Sequence, residues 1–325
     1  MTTTEMPVPP EPPVAPHGDT LVAEAPNLWA PPPAAPDRPA VLVEEAPALR
    51  TAGQALGIVG ALLLCFVVQF TLVGALKHER DQSQAHTDFR VHLANATAPV
   101  SALTEDGRLI ESGTPVAILE IPRLGVREVV GEGTSSSALA SGPGHLRSTV
   151  MPGQAGTAVI LGRRAGYGGP FAQVNKVVPG DEIRVTTGQG EHRYQVQGVR
   201  RAGAPQRHVP AAGKGALTLV TADGPYFMPT DVLWVDAKLT TEVMPTSGAL
   251  PSFAVPDNER VMASDLTALV PVAVWALVLV AAAFAVVYLK QRVGRWQAWV
   301  VGVPVLGTLG LTLADHAAAL LPNLI

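Results

Sequence analysis

The chain has 325 residues, 47% of them apolar and 15% charged, with a formal net charge of −4. That apolar share is too high for an ordinary soluble domain, and the acidic balance without a basic stripe argues against a nucleic-acid partner. The single cysteine, Cys65, lies inside an apolar run, which excludes an internal disulfide and leaves no cysteine set for a metal; neither a metal nor a cofactor is expected.

Residues 1–54 read as a disordered cytoplasmic tail. The first 50 hold 13 prolines, including Pro31-Pro32-Pro33, and proline runs continue neither helix nor sheet. Such a tail is either simply solvated or a docking strip for a proline-reading partner. Residues 55–76 carry no charge over 22 positions, long enough for one crossing of a bilayer as a helix. The run starts far from the first residue and shows no small-residue cleavage site, so a signal anchor is preferred to a removed signal peptide. Residues 77–113 form a polar stalk, helical to about Leu93.

From residue 114 to 242 the pattern becomes short β-rich runs between Gly and Pro. Strands are predicted at 116–121, 156–161, 182–187, 194–199, 216–221 and 232–239, a spacing that suggests a barrel or sandwich. Residues 243–265 read as a linker. Two further uncharged runs, 266–289 and 296–314, are predicted to span a membrane, separated by the basic loop 290–295 with Lys290, Arg292 and Arg295; residues 315–325 read as a tail. The positive-inside rule places that loop in the cytoplasm, with Trp296 and Trp299 at the interface. Counting back, the β domain lies outside a plasma membrane crossed three times and the Pro-rich tail inside. Ala281-Ala-Ala283, Gly302, Gly307 and Gly310 would allow close helix packing.

Seven ordered segments of the β region resemble sortases, most of all the actinobacterial, class E-like type. They are Val116-Ala-Ile-Leu-Glu-Ile-Pro-Arg-Leu-Gly125, Gly131-Glu-Gly-Thr134, Gly142-Pro-Gly-His145, Pro152-Gly-Gln-Ala-Gly156 leading into Thr157-Ala-Val-Ile-Leu-Gly-Arg-Arg164, Tyr167-Gly-Gly-Pro-Phe171, Pro179-Gly-Asp-Glu-Ile183, and Leu217-Thr-Leu-Val-Thr221. The resemblance implies an all-β, eight-stranded barrel. It also implies a cysteine that attacks a peptide carbonyl, a histidine that moves the proton and an arginine that stabilises the oxyanion. At the matching positions this chain has Ala222, Arg163, and Val232 or Asp231. Alanine has no nucleophile, and arginine stays protonated and cannot act as a base. The resemblance therefore implies a catalytically degenerate barrel, a pseudoenzyme, with Arg163, Arg164, Tyr167, Thr221 and Asp223 lining a groove that could still hold a peptide.

The other polar residues receive plainer expectations. His145 belongs to its Gly-Pro-Gly-His turn as a structural residue, and His192 and His208 are expected to be exposed in loops. Glu120, Asp181 and Glu182 are expected to be solvated carboxylates, and Asp315-His316 an ordinary pair at the outer interface. The reading that follows is a noncatalytic scaffold or adaptor for a cell-envelope or membrane protein, embedded in the lipid bilayer. The alternatives are a regulator that holds a sorting-signal-like peptide without cutting it, and a residual hydrolase with a non-cysteine nucleophile.

Overall fold

The computed structural model describes residues 47–325 except 105, 205–209 and 247, with side chains from residue 56. The Pro-rich stretch before residue 47 and His208 lie outside the described residues. Eight strands close a barrel: β1 Pro115–Ile121, β2 Val126–Glu132, β3 Gly144–His145, β4 Gly156–Leu161, β5 Glu182–Thr187, β6 Gly190–Arg200, β7 Gly215–Asp223 and β8 Asp231–Leu239. Their order round the barrel is β1-β2-β3-β4-β7-β8-β6-β5. The six predicted strands are present; β2 and the two-residue β3 escaped the sequence reading. The two residues of β3 are too few for an alternating pattern, and in β2 the sequence Val-Arg-Glu-Val-Val-Gly-Glu does not alternate cleanly.

Alternation along each strand splits the apolar residues into two sets. Leu119, Ile160, Ile183, Leu217, Leu219 and Val235 fill the barrel interior. Val159, Leu161, Val220 and Ala222 face outward from β4 and β7 and form a second cluster with Leu139 of the short helix α3, Ser136–Ser141, and with Leu324. Two glycines of the recognised signatures are dictated by close approach. A Cβ on Gly144 would meet the Gly133 carbonyl oxygen at 2.2 Å. Gly153 has φ +96°, a Cβ there would meet His192 Nε2 at 2.3 Å, and its N–H donates to Tyr194 Oη at 2.6 Å.

Among the described residues, three helices are long and apolar enough to cross a membrane: residues Leu56–Ala94, Leu266–Arg292 and Arg295–Ala318. The first comprises α1 Pro47–Val68, a π-helical turn Gln69–Val73 and α2 Gly74–Ala94. Its polar half is no free stalk. Phe89 is fully buried against Ile118 and Val129, and the Gln82 side chain exchanges hydrogen bonds with both the N–H and the C=O of Val129, extending the edge of β2. The later two are α4 Leu269–Arg292 and α5 Arg295–Ala318. A Cβ on Gly302 would lie 2.7 Å from Val286, and one on Gly310 would lie 3.1 Å from Cys65 Sγ, so these small residues sit where α5 meets α4 and α1. Gly307 has open space around it.

The segment before α4 is a strap on the barrel rather than a loose linker. Glu259 is buried and pairs with buried Arg147 at 3.0 Å, while Arg147 Nη1 donates to Ile110 O at 2.7 Å. Burial pushes the Glu259 carboxyl up, and Arg147 offsets only part of that.

Candidate functional site

Strand register assembles the wall that carries the sequence-flagged residues. Ala222 in β7 is the direct cross-strand neighbour of Val232 in β8, and Asp223 faces Asp231. Strand β4 runs parallel to β7 with Leu161 beside Val220, and the Gly162 N–H continues the ladder to Val220 O at 3.0 Å. Arg163 therefore enters at the level of Ala222. Thr221 takes the opposite face and donates to Gly162 O at 2.8 Å.

Arg163 is 1% exposed. Its Nη2 donates to Ser136 O at 2.8 Å and to Ser136 Oγ at 2.7 Å; its Nη1 donates to the backbone oxygen of Ile325 at 2.6 Å. The guanidinium also lies 4.9 Å from the Tyr167 ring centre. Burial lowers its pKa to about 10, partly countered by Tyr167 and Asp315, so it remains a cation at neutral pH. Arg164 points to the other side, with Nη1 3.2 Å from Asp223 Oδ1 and 3.1 Å from Ala222 O. Burial works against the charge on Asp223, but the Gly224 N–H, Arg201 and Arg164 hold its carboxyl below the usual range. That pairing allows Asp223 to face Asp231 across the ladder.

Tyr167 ties this wall to the helices. It is 3% exposed with φ +52°, an uncommon conformation for a bulky residue, held here by contacts on several sides. Its ring meets Phe70 edge-on at 5.7 Å, and its hydroxyl donates to Asp315 of α5 at 2.9 Å. Burial, then Asp315, pushes the phenol well above its ordinary value. Asp315 also accepts from Gln69 at 2.9 Å and lies 3.7 Å from Lys77. The expected ordinary interfacial pair is thus half of a junction: Asp315 joins the first helix, the third helix and the barrel, while His316 stacks on Trp275 at 6.3 Å.

Two histidines resolve differently. His145 is fully buried, with Nδ1 3.0 Å from Glu132 and Nε2 3.0 Å from Val150 O, a structural role as expected from its turn. Burial alone would depress its pKa; Glu132 and the Val150 carbonyl outweigh this and raise it. His192, expected to be exposed, is instead fully buried in β6, with Nε2 3.0 Å from Thr187 Oγ1 and its pKa lowered by burial. A histidine two residues into a strand, beside a turn, carries no sequence mark of which way it faces. Among the described residues no three His, Cys, Asp or Glu side chains gather as a metal set. Glu120 pairs with Arg127, Asp181 caps the Val178 N–H, and Glu182 pairs with Arg184. A cavity of about 940 Å3 opens over β6, β7 and β8 around Thr218 and Lys238, toward the far end of β7 from Ala222.

The sequence reading missed residues 321–325. They sit against this same wall, with Asn323 and Leu324 fully buried and Ile325 6% exposed. Leu-Pro-Asn-Leu-Ile after a spanning helix has no feature that announces docking.

Residues 119–240 match the family model described as the sortase domain. The chain is 30% identical over 86 residues to sortase D of Bacillus subtilis (strain 168), covering 26% of this chain and 42% of that protein. It is 27% identical over 165 residues to sortase SrtE1 of Streptomyces coelicolor, covering 49% of this chain and 45% of that protein. The chain thus spans under half the length of these curated relatives. Among solved structures, a sortase E variant from Streptomyces avermitilis is 27% identical, with 46% of this chain and 100% of that chain covered and a TM-score of 0.35. The match to the sortase domain falls on the closed eight-stranded barrel of this chain.

Proposed function

We propose that this protein is a noncatalytic, sortase-like membrane protein that serves as a scaffold or adaptor for a cell-envelope or membrane partner. The observation that carries the reading is the wall at Ala222. The resemblance implies the nucleophile at Ala222, the base at Arg163 and the oxyanion partner at Val232 or Asp231, and none of these side chains supplies that chemistry. The one thiol, Cys65, belongs to the first spanning helix beside Gly310. Thr221 is an unconvincing substitute, because its hydroxyl is buried and already donates to Gly162 O. The two later helices and the Asp315 junction support a membrane role beyond simple anchoring. In this reading the barrel faces out, residues 290–295 face the cytoplasm, and the first helix runs outward.

The peptide-holding alternative requires Arg163 to meet a guest, yet the guanidinium is buried and hydrogen-bonded within the chain. The test is a cleavage and transfer assay on sorting-signal peptides with the full-length protein in mild detergent. No turnover above a no-protein blank is expected. Turnover abolished by Thr221→Val would overturn the noncatalytic reading.

A further inference from the structure

We infer that the outer wall of β4 and β7 is a peptide-binding site whose ligand is residues 321–325 of this same chain, read through Asn323 and Leu324. This deepens the reading of that wall as the groove of a noncatalytic barrel. After α5, one tight turn carries the chain to Pro322, which has no N–H with which to continue a helix. The chain then lies along the wall and is gripped at each position. The Asn323 N–H donates to Ala263 O at 2.9 Å. Its Nδ2 donates to Thr134 O at 2.7 Å and Arg260 O at 2.9 Å, two carbonyls converging on one buried amide. Leu324 enters the apolar pocket formed by Leu139, Leu161, Val220 and Ala222, and its carbonyl accepts from the Arg164 N–H at 3.0 Å. Ile325 packs with Phe70, Ala140 and Tyr167, and its backbone oxygen takes the Arg163 guanidinium.

These are the elements of peptide recognition: main-chain hydrogen bonds for affinity, one apolar pocket, and one polar socket for selectivity. The socket is selective in a specific sense. Both groups facing the Asn323 side chain are acceptors, so the wall requires a side chain that donates twice. The grip joins parts far apart in sequence: Thr134 from the loop before α3, Arg260 and Ala263 from the strap, Arg163 and Arg164 after β4. Seating the segment closes the surface at Ala222 to any other peptide and clamps the third spanning helix to the barrel. Arg163 thereby acquires a role, holding the chain's own segment where the resemblance would place a proton carrier.

The test uses full-length protein in lipid nanodiscs and a fluorescent synthetic peptide of residues 319–325. Asn323→Asp in the protein presents oxygen to both socket carbonyls and displaces the internal segment. The peptide should bind this variant at least tenfold more tightly than the natural chain, and a peptide carrying the same change should bind neither. Equal binding to the natural chain and the variant, or binding to neither, overturns the proposal. A second measurement needs no variant: hydrogen exchange on the natural protein should show slow exchange at the amides of Asn323 and Ile325. It should quicken at least tenfold when excess peptide competes for the wall. Exchange at the rate of an unstructured peptide, or no response to competitor, refutes the seat. These readouts are independent of turnover: a cleaving but occupied wall would sink only the noncatalytic reading, and an inert but empty wall only this one.

Discussion

Asn323→Asp should open the wall at Ala222 without unfolding the barrel, and the size of the effect follows from two distances. The amide nitrogen lies 2.7 Å from Thr134 O and 2.9 Å from Arg260 O in a fully buried setting. Aspartate matches asparagine in shape but, ionised, has no hydrogen to give. Each buried acceptor left unpaired costs about 1–3 kcal/mol, so the two together cost about 2–6 kcal/mol before the charge itself is counted. The seat holds through Leu324, worth about 1.5–3 kcal/mol of apolar burial, and three main-chain bonds of about 0.5–1.5 kcal/mol each. The penalty therefore rivals the whole docking free energy, and the segment leaves. A thiol at position 222 reports the change. Ala222→Cys in a Cys65→Ala background places a sulfur at a site that is 1% exposed in the natural chain, so a soluble thiol reagent should label it slowly. Adding Asn323→Asp should raise the labelling rate at least about thirtyfold, the equivalent of 2 kcal/mol. An unchanged rate with an unchanged melting temperature would refute the socket. A collapse of the whole barrel in step with labelling would refute the claim that the segment docks as a separable ligand.

Other expectations follow from single contacts. The raised pKa of His145 means its pairing with Glu132, opposed by nearby Arg147, contributes stability that is full below about pH 6.5 and is lost as pH rises through the folded-state value; the fall in melting temperature above pH 6.5 should shrink in His145→Gln, and an identical profile would refute the assignment. Buried His192, with its pKa lowered, acts in the opposite window, its contribution being lost as pH falls below 6.5. Gly153→Ala combines a positive φ with a clash against a fully buried ring, so it should destabilise the barrel by about 2–5 kcal/mol; a normal melting temperature would show that His192 can move aside. Single cysteines replacing exposed Ser137 and Gln291 in a Cys65→Ala background should differ on intact cells, with only the first labelled by an impermeant reagent; the reverse pattern would invert the proposed topology.

Long-range geometry separates what was legible in the chain from what was not. Uncharged runs of bilayer length exposed the three helices, and alternation with glycine and proline punctuation exposed six of eight strands, because both signals are local. The ordered motifs were legible as letters, while the reason for their glycines lies in the fold: a Cβ on Gly144 would meet the Gly133 carbonyl oxygen and one on Gly153 the His192 ring. Ala222, Arg163, and Val232 or Asp231 were singled out on the resemblance alone, since a residue type is read from the letters without the fold. Folding alone decided what surrounds those letters. Arg163 became a buried cation only because Ser136, 27 residues earlier, and Ile325, 162 residues later, close on it. Asp315 became a junction because the π turn at Gln69, the barrel loop at Tyr167 and α5 meet at one point. Residues 321–325 read as a tail because no local period marks them, and burial by partners more than sixty positions away leaves no periodic trace in a five-residue segment.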